Sequence, residues 1–420
     1  MDRSVESSCL GPRPALFDHD RNKNSNPVSR TFCLSFALLL LVSNPAVAET
    51  GADEASTRDF DIQGADAASV SGLLHLDDAN TALNPFQKLS KSWPEDLVIA
   101  PIPAYSPQLG WNLTLGGAYF LASGKENTDV PPSLIGAFAM AAENGSYAYG
   151  AGTYLHLLDD KLRIKAGAAH IDIRYRFYGI GNEIDFLDID ILQKGPAYFL
   201  TGSWNVWKKL YVGLGYRRGS VDTRVRFDVS TPFFDPSFSI DLGGFSIPIE
   251  IDSRDHEQFP RNGWHIVGQT VLYRESVGSD FEADTYKLSV NHYFPMRDAD
   301  VLATRLVMKS ADEDVPFFLL STFGGKTDLR GYPSGRYRDE TMYALQTEYR
   351  WQFSDRWVFT GFAGVGEVAE SFSRMGRNFL PAAGIGARFV LSAKHKVGLS
   401  FDAAKGKDGT ELYFGVGEAF

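Results

Sequence analysis

Residues 209–218 read KLYVGLGYRR. Leu210, Val212, Leu214 and Tyr216 alternate with Tyr211, Gly213, Gly215 and Arg217, a period of two that sets the first four on one face of an extended strand. KVGLSFDAAK (396–405) repeats the pattern, with Val397, Leu399 and Phe401 on one face and Gly, Ser and Asp on the other. A soluble sandwich buries its apolar face and lines its outer face with Lys and Glu. Here the less apolar face is small and Gly-rich while aromatic and other large apolar residues crowd the other, which fits a barrel in lipid. From about Asp96 onward such runs recur, separated by clusters of Gly, Asp, Asn, Ser and Lys.

Aromatic residues gather where these runs end, as Trp204, Trp207, Trp351, Phe353 and Trp357 do, matching the girdles of a membrane barrel. Tight connectors at 158–161, 207–209, 296–300, 353–356 and 392–395 alternate with longer ones at 172–195, 226–242, 309–341 and 366–378. Counting back from the last residue gives sixteen strands, the first being VIAPIPAY at 98–105. The expectation is an all-β fold, a 16-stranded antiparallel transmembrane β-barrel over residues 97–420, with both termini periplasmic because the strand number is even. The mean hydropathy of -0.18 excludes a helical membrane protein but not a barrel.

The chain before the barrel divides in two. In TFCLSFALLLLVSNPAVAET (31–50) a basic approach ending at Arg30 precedes an apolar run from Phe32 to Val42 and the small residues Ala46, Val47 and Ala48. This reads as an export signal over residues 1–48. Both cysteines, Cys9 and Cys33, fall within it, so no disulfide or thiol chemistry is expected in the rest. Residues 49–96 are acidic and rich in Ala, Ser, Asp and Gly, a composition that reads as a periplasmic linker without a core. Deleting residues 49–90 behind an intact signal should therefore leave the heat-modifiable barrel species intact on electrophoresis; its loss would make the segment a folding element or a plug. The net charge of -11 argues against nucleic acid as a partner.

No short motif points to covalent chemistry. GAGT, GIGARF and GVGEAF lack the strand-to-helix setting of a phosphate loop. HEQFP (256–260) lacks the second His of a zinc helix, no G-x-S-x-G elbow occurs, and neither His170 nor His292 has a serine partner by pattern. SADED (310–314) reads as a solvated acidic loop rather than a cation site. The expectation is a protein that is not an enzyme and has no metal or cofactor.

One segment resists the simple reading. KTDLRGYPSGRYRDET (326–341) is too long and too charged for a turn, yet lies between clean strands. LRGY within it (Leu329, Arg330, Gly331, Tyr332), placed before the fifth strand from the end, resembles the signature of the BamA/TamA family, the bacterial surface antigen superfamily. IDSRDHEQFPRNGWH (251–265) resembles the family's D-x-R-D turn through Asp252, Arg254, Asp255 and Gly263. ELYFGVGEAF (411–420) is similar to its final strand, with Phe414, Val416 and Phe420 on one face as an aromatic-ended targeting signal.

The resemblance implies an outer-membrane barrel whose sixth external loop folds back into the lumen, with the motif Arg held by carboxylates on the inner wall. Glu348 is the implied latch partner, because Gln346, Glu348, Arg350 and Gln352 form the polar face of ALQTEYRWQF. Where the family carries F-x-D-x-G on the next strand, this chain has Phe362-Ala363-Gly364-Val365-Gly366. The expectation is a latch with one carboxylate and free space at Gly364. The 48 residues from 49 to 96 are too short for a POTRA domain, which implies a POTRA-less branch. The implied function is to assist insertion or export of a polypeptide or lipid, and the alternative is a passive pore or structural barrel. The implied partners are outer-membrane lipid, an unfolded outer-membrane or secreted client, and the barrel-assembly machinery for its own insertion.

Overall fold

The computed structural model describes residues 96–420 apart from 107, 122–129, 131–132, 182–188, 228–235, 257–258, 298, 314, 393–396 and 417. The signal at 1–48 and the linker up to residue 95 lie outside the described residues. Sixteen antiparallel strands close into one barrel. Its first half comprises β1 (Leu97–Ser106), β2 (Gly110–Leu121), β3 (Ser133–Ala142), β4 (Tyr147–Leu157), β5 (Leu162–Phe177), β6 (Ile189–Trp207), β7 (Leu210–Phe227) and β8 (Ser237–Asp252). Then come β9 (Gly263–Tyr273), β10 (Ala283–Pro295) and β11 (Val301–Ala311). After a long loop holding the short hairpin β12 (Ser321–Phe323) and β13 (Tyr337–Asp339) follow β14 (Thr341–Gln352), β15 (Trp357–Ala369), β16 (Leu380–Ser392), β17 (Val397–Lys405) and β18 (Thr410–Val416). β18 lies beside β1, and the even count sets Leu97 and Val416 at the same end of the barrel, here the terminal end.

Continuous pairing satisfies the ladder groups along every adjacent pair of barrel strands except β1 and β18, which align at Tyr105 and Phe414 alone among the described residues. Alternation sorts the side chains. On β14, Leu345 and Trp351 are exposed on the outer wall while Gln346, Glu348 and Arg350 are buried in the lumen. On β7, Val212 and Leu214 face out and Tyr211 faces in. Trp204, Trp207, Trp351, Phe353 and Trp357 are all exposed near the tight turns of the terminal end.

Two stretches depart from the expected connectors. The described residues of 172–195 and 226–242 are mostly strand: β5 stays aligned with β6 out to Phe177 opposite Ile189, and β7 with β6 out to Phe227. Asp172, Arg174 and Arg176 alternate with the buried Ile171, Ile173 and Tyr175, so the ladder continues beyond the apolar band with its outward residues suited to water. Polarity there marks where lipid ends, not where the strand ends.

Candidate functional site

The loop between β11 and β14 does not project outward but fills the far half of the lumen. Phe323, Leu329 and Tyr332 are fully buried against Val307, Met342, Ala344, Val368 and Leu380 of the wall. Complete burial of such side chains contributes about 1.5–3 kcal/mol each, and this apolar contact supplies the bulk attraction of the plug. Polar contacts set its register. Lys309 Nζ donates to Asp328 at 2.7 Å, Tyr337 hydroxyl to Asp408 at 2.7 Å, Lys326 Nζ to Ser400 at 2.9 Å, and Gln108 to the Ser334 carbonyl at 2.5 Å. Burial pushes the Asp328 carboxyl up, but the Lys309 and Lys287 charges outweigh it and hold it below the usual range.

Arg330 is the centre of the arrangement. Its Nη2 donates to Glu348 Oε2 at 2.6 Å, its Nη1 lies 3.1 Å from Asp402 Oδ2, and its guanidinium stacks 3.5 Å over the ring of Phe362. Arg330, Glu348 and Asp402 are all fully buried. Nη1 makes an ion pair without hydrogen-bond alignment, whereas the backbone N–H and Nε donate to Gln346 at 3.3 and 3.4 Å. Gly331, at φ +107°, turns the chain beside the β17–β18 turn and donates to Tyr413 hydroxyl at 3.0 Å. A Cβ there would meet Gly406 and Ala382, so both the angle and the space require glycine. Tyr332 hydroxyl donates to the Pro381 carbonyl at 2.7 Å and accepts from Lys407 N–H at 3.1 Å.

The pair extends into a network. Glu348 Oε1 accepts from Arg350 Nε at 2.7 Å; Arg388 donates to Asp402 Oδ1 at 2.6 Å and to Glu418 at 2.9 Å; Arg350 donates to the main-chain oxygen of Phe420 at 2.8 Å. Three guanidiniums thus face three side-chain carboxylates, and such a cluster is tolerable inside a wall only because its charges balance.

Three expectations are overturned here. The latch does not rest on one carboxylate, because Asp402 of β17 supplies a second; nor is there room at Gly364, where an added Cβ would overlap Cδ1 of Leu329 and lie 2.5 Å from the Leu345 carbonyl. Phe420 does not share an outward face with Phe414. β18 ends at Val416, and Glu418 to Phe420 turn inward, placing Phe420 against Tyr293, Val301 and Ala303. The ion pair of Glu418 with Arg388 and the hydrogen bond from Arg350 to the Phe420 oxygen pull the tail off the strand's alternation. Phe414 stays on the outer wall, its ring 6.2 Å from Trp111.

The D-x-R-D segment forms a separate turn at the terminal end. Arg254 grips Asp252 through Nη2 at 2.7 Å and Nε at 2.9 Å, Asp255 accepts from the Arg261 and Asn262 N–H groups, and Gly263, at φ +110°, abuts the Ser253 carbonyl. Glu250, Asp252 and His265 gather within 4.8 Å nearby. Lys165 reaches Glu250 at 3.5 Å and Arg254 holds Asp252, so both carboxylates have cationic partners. Asp402, Arg388 and Glu418 are the residues that sequence reasoning missed. Alternation in KVGLSFDAAK already placed Asp402 opposite Leu399 and Phe401, on the lumenal face, and that was the available signal.

A sequence model of the Omp85 superfamily domain matches residues 174–420. No curated protein matches the chain. Among solved structures, BamA from Haemophilus ducreyi lacking POTRA domains 1-3 aligns with a TM-score of 0.54 at 14% identity, over 76% of this chain and 70% of that one. CdiB from Escherichia coli aligns with a TM-score of 0.53 at 13% identity, over 78% and 63%. CdiB from Acinetobacter baumannii gives 0.50 at 11%, over 76% and 59%. The chain thus spans less than two thirds of either CdiB chain, and likeness at these identities speaks to fold alone.

Proposed function

The chain belongs to the Omp85 superfamily of outer-membrane β-barrels, and on that premise we propose that it assists insertion or export of a polypeptide through the seam between β1 and β18, without covalent chemistry and with both termini in the periplasm. The observation that carries this reading is the seam itself. β1 runs along β2 over its whole length, from Leu97 opposite Tyr119 to Ser106 opposite Gly110, and β18 runs along β17 from Thr410 to Val416. Between β1 and β18, among the described residues, one position is aligned, Tyr105 opposite Phe414. Pro101 and Pro103 of β1 have no N–H, and a proline within a strand is accommodated with its nitrogen away from the paired side. The β18-facing edge of β1 therefore lacks donors at Pro101 and Pro103, which weakens its hold on β18, and the edge of β18, with its N–H groups intact, is the template to which an incoming strand would add by β-augmentation.

The inward loop supports a sideways route over a through-pore. It is tied to the β1–β2 turn through Ser334, to the β5–β6 connection through the Gly181–Arg338 bridge, and to the β17–β18 turn through Tyr337, closing the far mouth on three sides.

Locking the seam tests the reading. Directly opposed strand positions are close enough for a disulfide, so Tyr105→Cys with Phe414→Cys, expressed in place of the native protein, should staple β1 to β18. Oxidised cells are expected to lose the same surface proteins that depletion removes, as read by quantitative mass spectrometry of the outer membrane, and reduction should restore them. Full activity of the oxidised form would exclude the seam as a route. Unchanged surface proteins on depletion, with stable large conductance in planar bilayers, would favour the passive pore.

A further inference from the structure

Around β4 to β8 the outer wall carries a row of rings: Tyr149, His170, Tyr198, Tyr216 and Phe245. Beyond it the strands continue toward the far end with charged outward residues. Arg174 lies four residues past His170, about 13 Å along β5. Register sets Arg174 opposite Leu192 of β6 and Leu192 opposite Arg224 of β7; the next row is Arg176, Asp190 and Arg226, and the row before is Asp172, Lys194 and Asp222.

Two cavities take in residues of these rows, the first at the rim, where the inward Tyr175 and Ile191 also border it. One, of about 480 Å³, lies where the tall β5–β7 wall stands over the short β1–β2 and β3–β4 turns, and Arg174, Arg176 and Arg226 all line it, with Glu143 and Asp190. The other, of about 270 Å³, is lined by Lys194, Arg224 and Asp222 together with Ser237 and Ser239 of β8. Leu192 borders both. In the first, Glu143 already accepts the Trp111 N–H at 3.0 Å. Among the described residues Arg174, Arg224 and Arg226 have no ion-pair partner.

We propose that these paired recesses hold the headgroup of a phosphorylated glycolipid of the outer leaflet, a sugar unit with one phosphate in each recess and its acyl chains against the ring row. Guanidinium forks match phosphate oxygens, and β5 and β7 are two strand spacings, about 10 Å, apart, so two phosphates carried on one disaccharide are the matching ligand. The far end must face the outer leaflet for this lipid to reach it, so the inference rests on the orientation given above. It is independent of the seam, and its test needs neither a client nor a living cell.

Native mass spectrometry of the full chain in detergent, titrated with bisphosphorylated lipid A, its monophosphoryl form and phosphatidylcholine, decides it. One lipid A is expected to remain bound, with the monophosphoryl form about tenfold weaker, since one charge-assisted contact set is lost. Arg174→Gln with Arg226→Gln, and separately Lys194→Gln with Arg224→Gln, should each weaken lipid A about tenfold. The corresponding lysine replacements at Arg174 and Arg226, which keep the charge but lose the fork, should bind between the glutamine variants and wild type, and heat-modifiable migration reports that each variant is folded. Binding that is equal for all three lipids, or unchanged when all four positions are glutamine, would overturn the proposal. So would displacement of the lipid by millimolar inorganic phosphate, which would make this a site for the free anion.

Discussion

Arg330→Ala is expected to raise the rate at which trypsin cuts the lumenal loop of the purified barrel at Arg336 and Arg338 by about a hundredfold. Removing one partner of a buried ion pair costs about 3–5 kcal/mol, and each ~1.4 kcal/mol is tenfold in the population of the released loop. The lower end applies here, because Arg350 and Arg388 remain bonded to Glu348 and Asp402 and spare them full isolation. Three carboxylates would nevertheless face two guanidiniums, and the stacking over Phe362 would be lost. Cleavage follows the open population when the loop opens and closes faster than the protease acts; Arg338 is almost fully buried and so is a fair reporter. Glu348→Ala should act in the same direction, and the double variant should cost less than the two single effects added, since the residues touch at 2.6 Å. Equal cutting of wild type and both single variants would mean that apolar contacts alone hold the loop.

What could be read in advance divides along a physical line. Strand alternation is local, so the faces of KLYVGLGYRR and of ALQTEYRWQF, the strand count and the start of β1 near Leu97 were legible. Long-range electrostatics is not local. Asp402 lies three strands along the wall from Glu348, and only barrel curvature brings both carboxylates to one guanidinium. Phe420 lies at the right spacing from Phe414 to continue the outward face, and the tail leaves that face because Arg388 and Arg350 offer Glu418 and the Phe420 oxygen partners inside. Asp172, Arg174 and Arg176 read as loop because charge usually ends a membrane strand, yet their alternation with Ile171, Ile173 and Tyr175 was intact.

The same contrast fixes the largest expected effect. Asp402→Ala removes the carboxylate that Arg388 grips at 2.6 Å and that lies 3.1 Å from Arg330, leaving three guanidiniums to share Glu348 and Glu418. Two buried cations are weakened by one substitution, so the upper part of the range applies, about 4–5 kcal/mol, and the loop should be cut roughly a thousandfold faster than in wild type. Sequence similarity suggests a rescue: placing an aspartate at position 364, where the family carries one. The packing predicts the opposite. Leu329 fully occupies that space, and the Leu345 carbonyl bounds it from the other side. A carboxylate side chain there could enter only by expelling Leu329, adding about 1–3 kcal/mol of overpacking to the lost burial of the leucine. Gly364→Asp should therefore loosen the loop by itself and worsen Asp402→Ala when the two are combined. Protection of the combined variant at the wild-type level would show that Leu329 yields, and that position 364 can carry the second carboxylate after all.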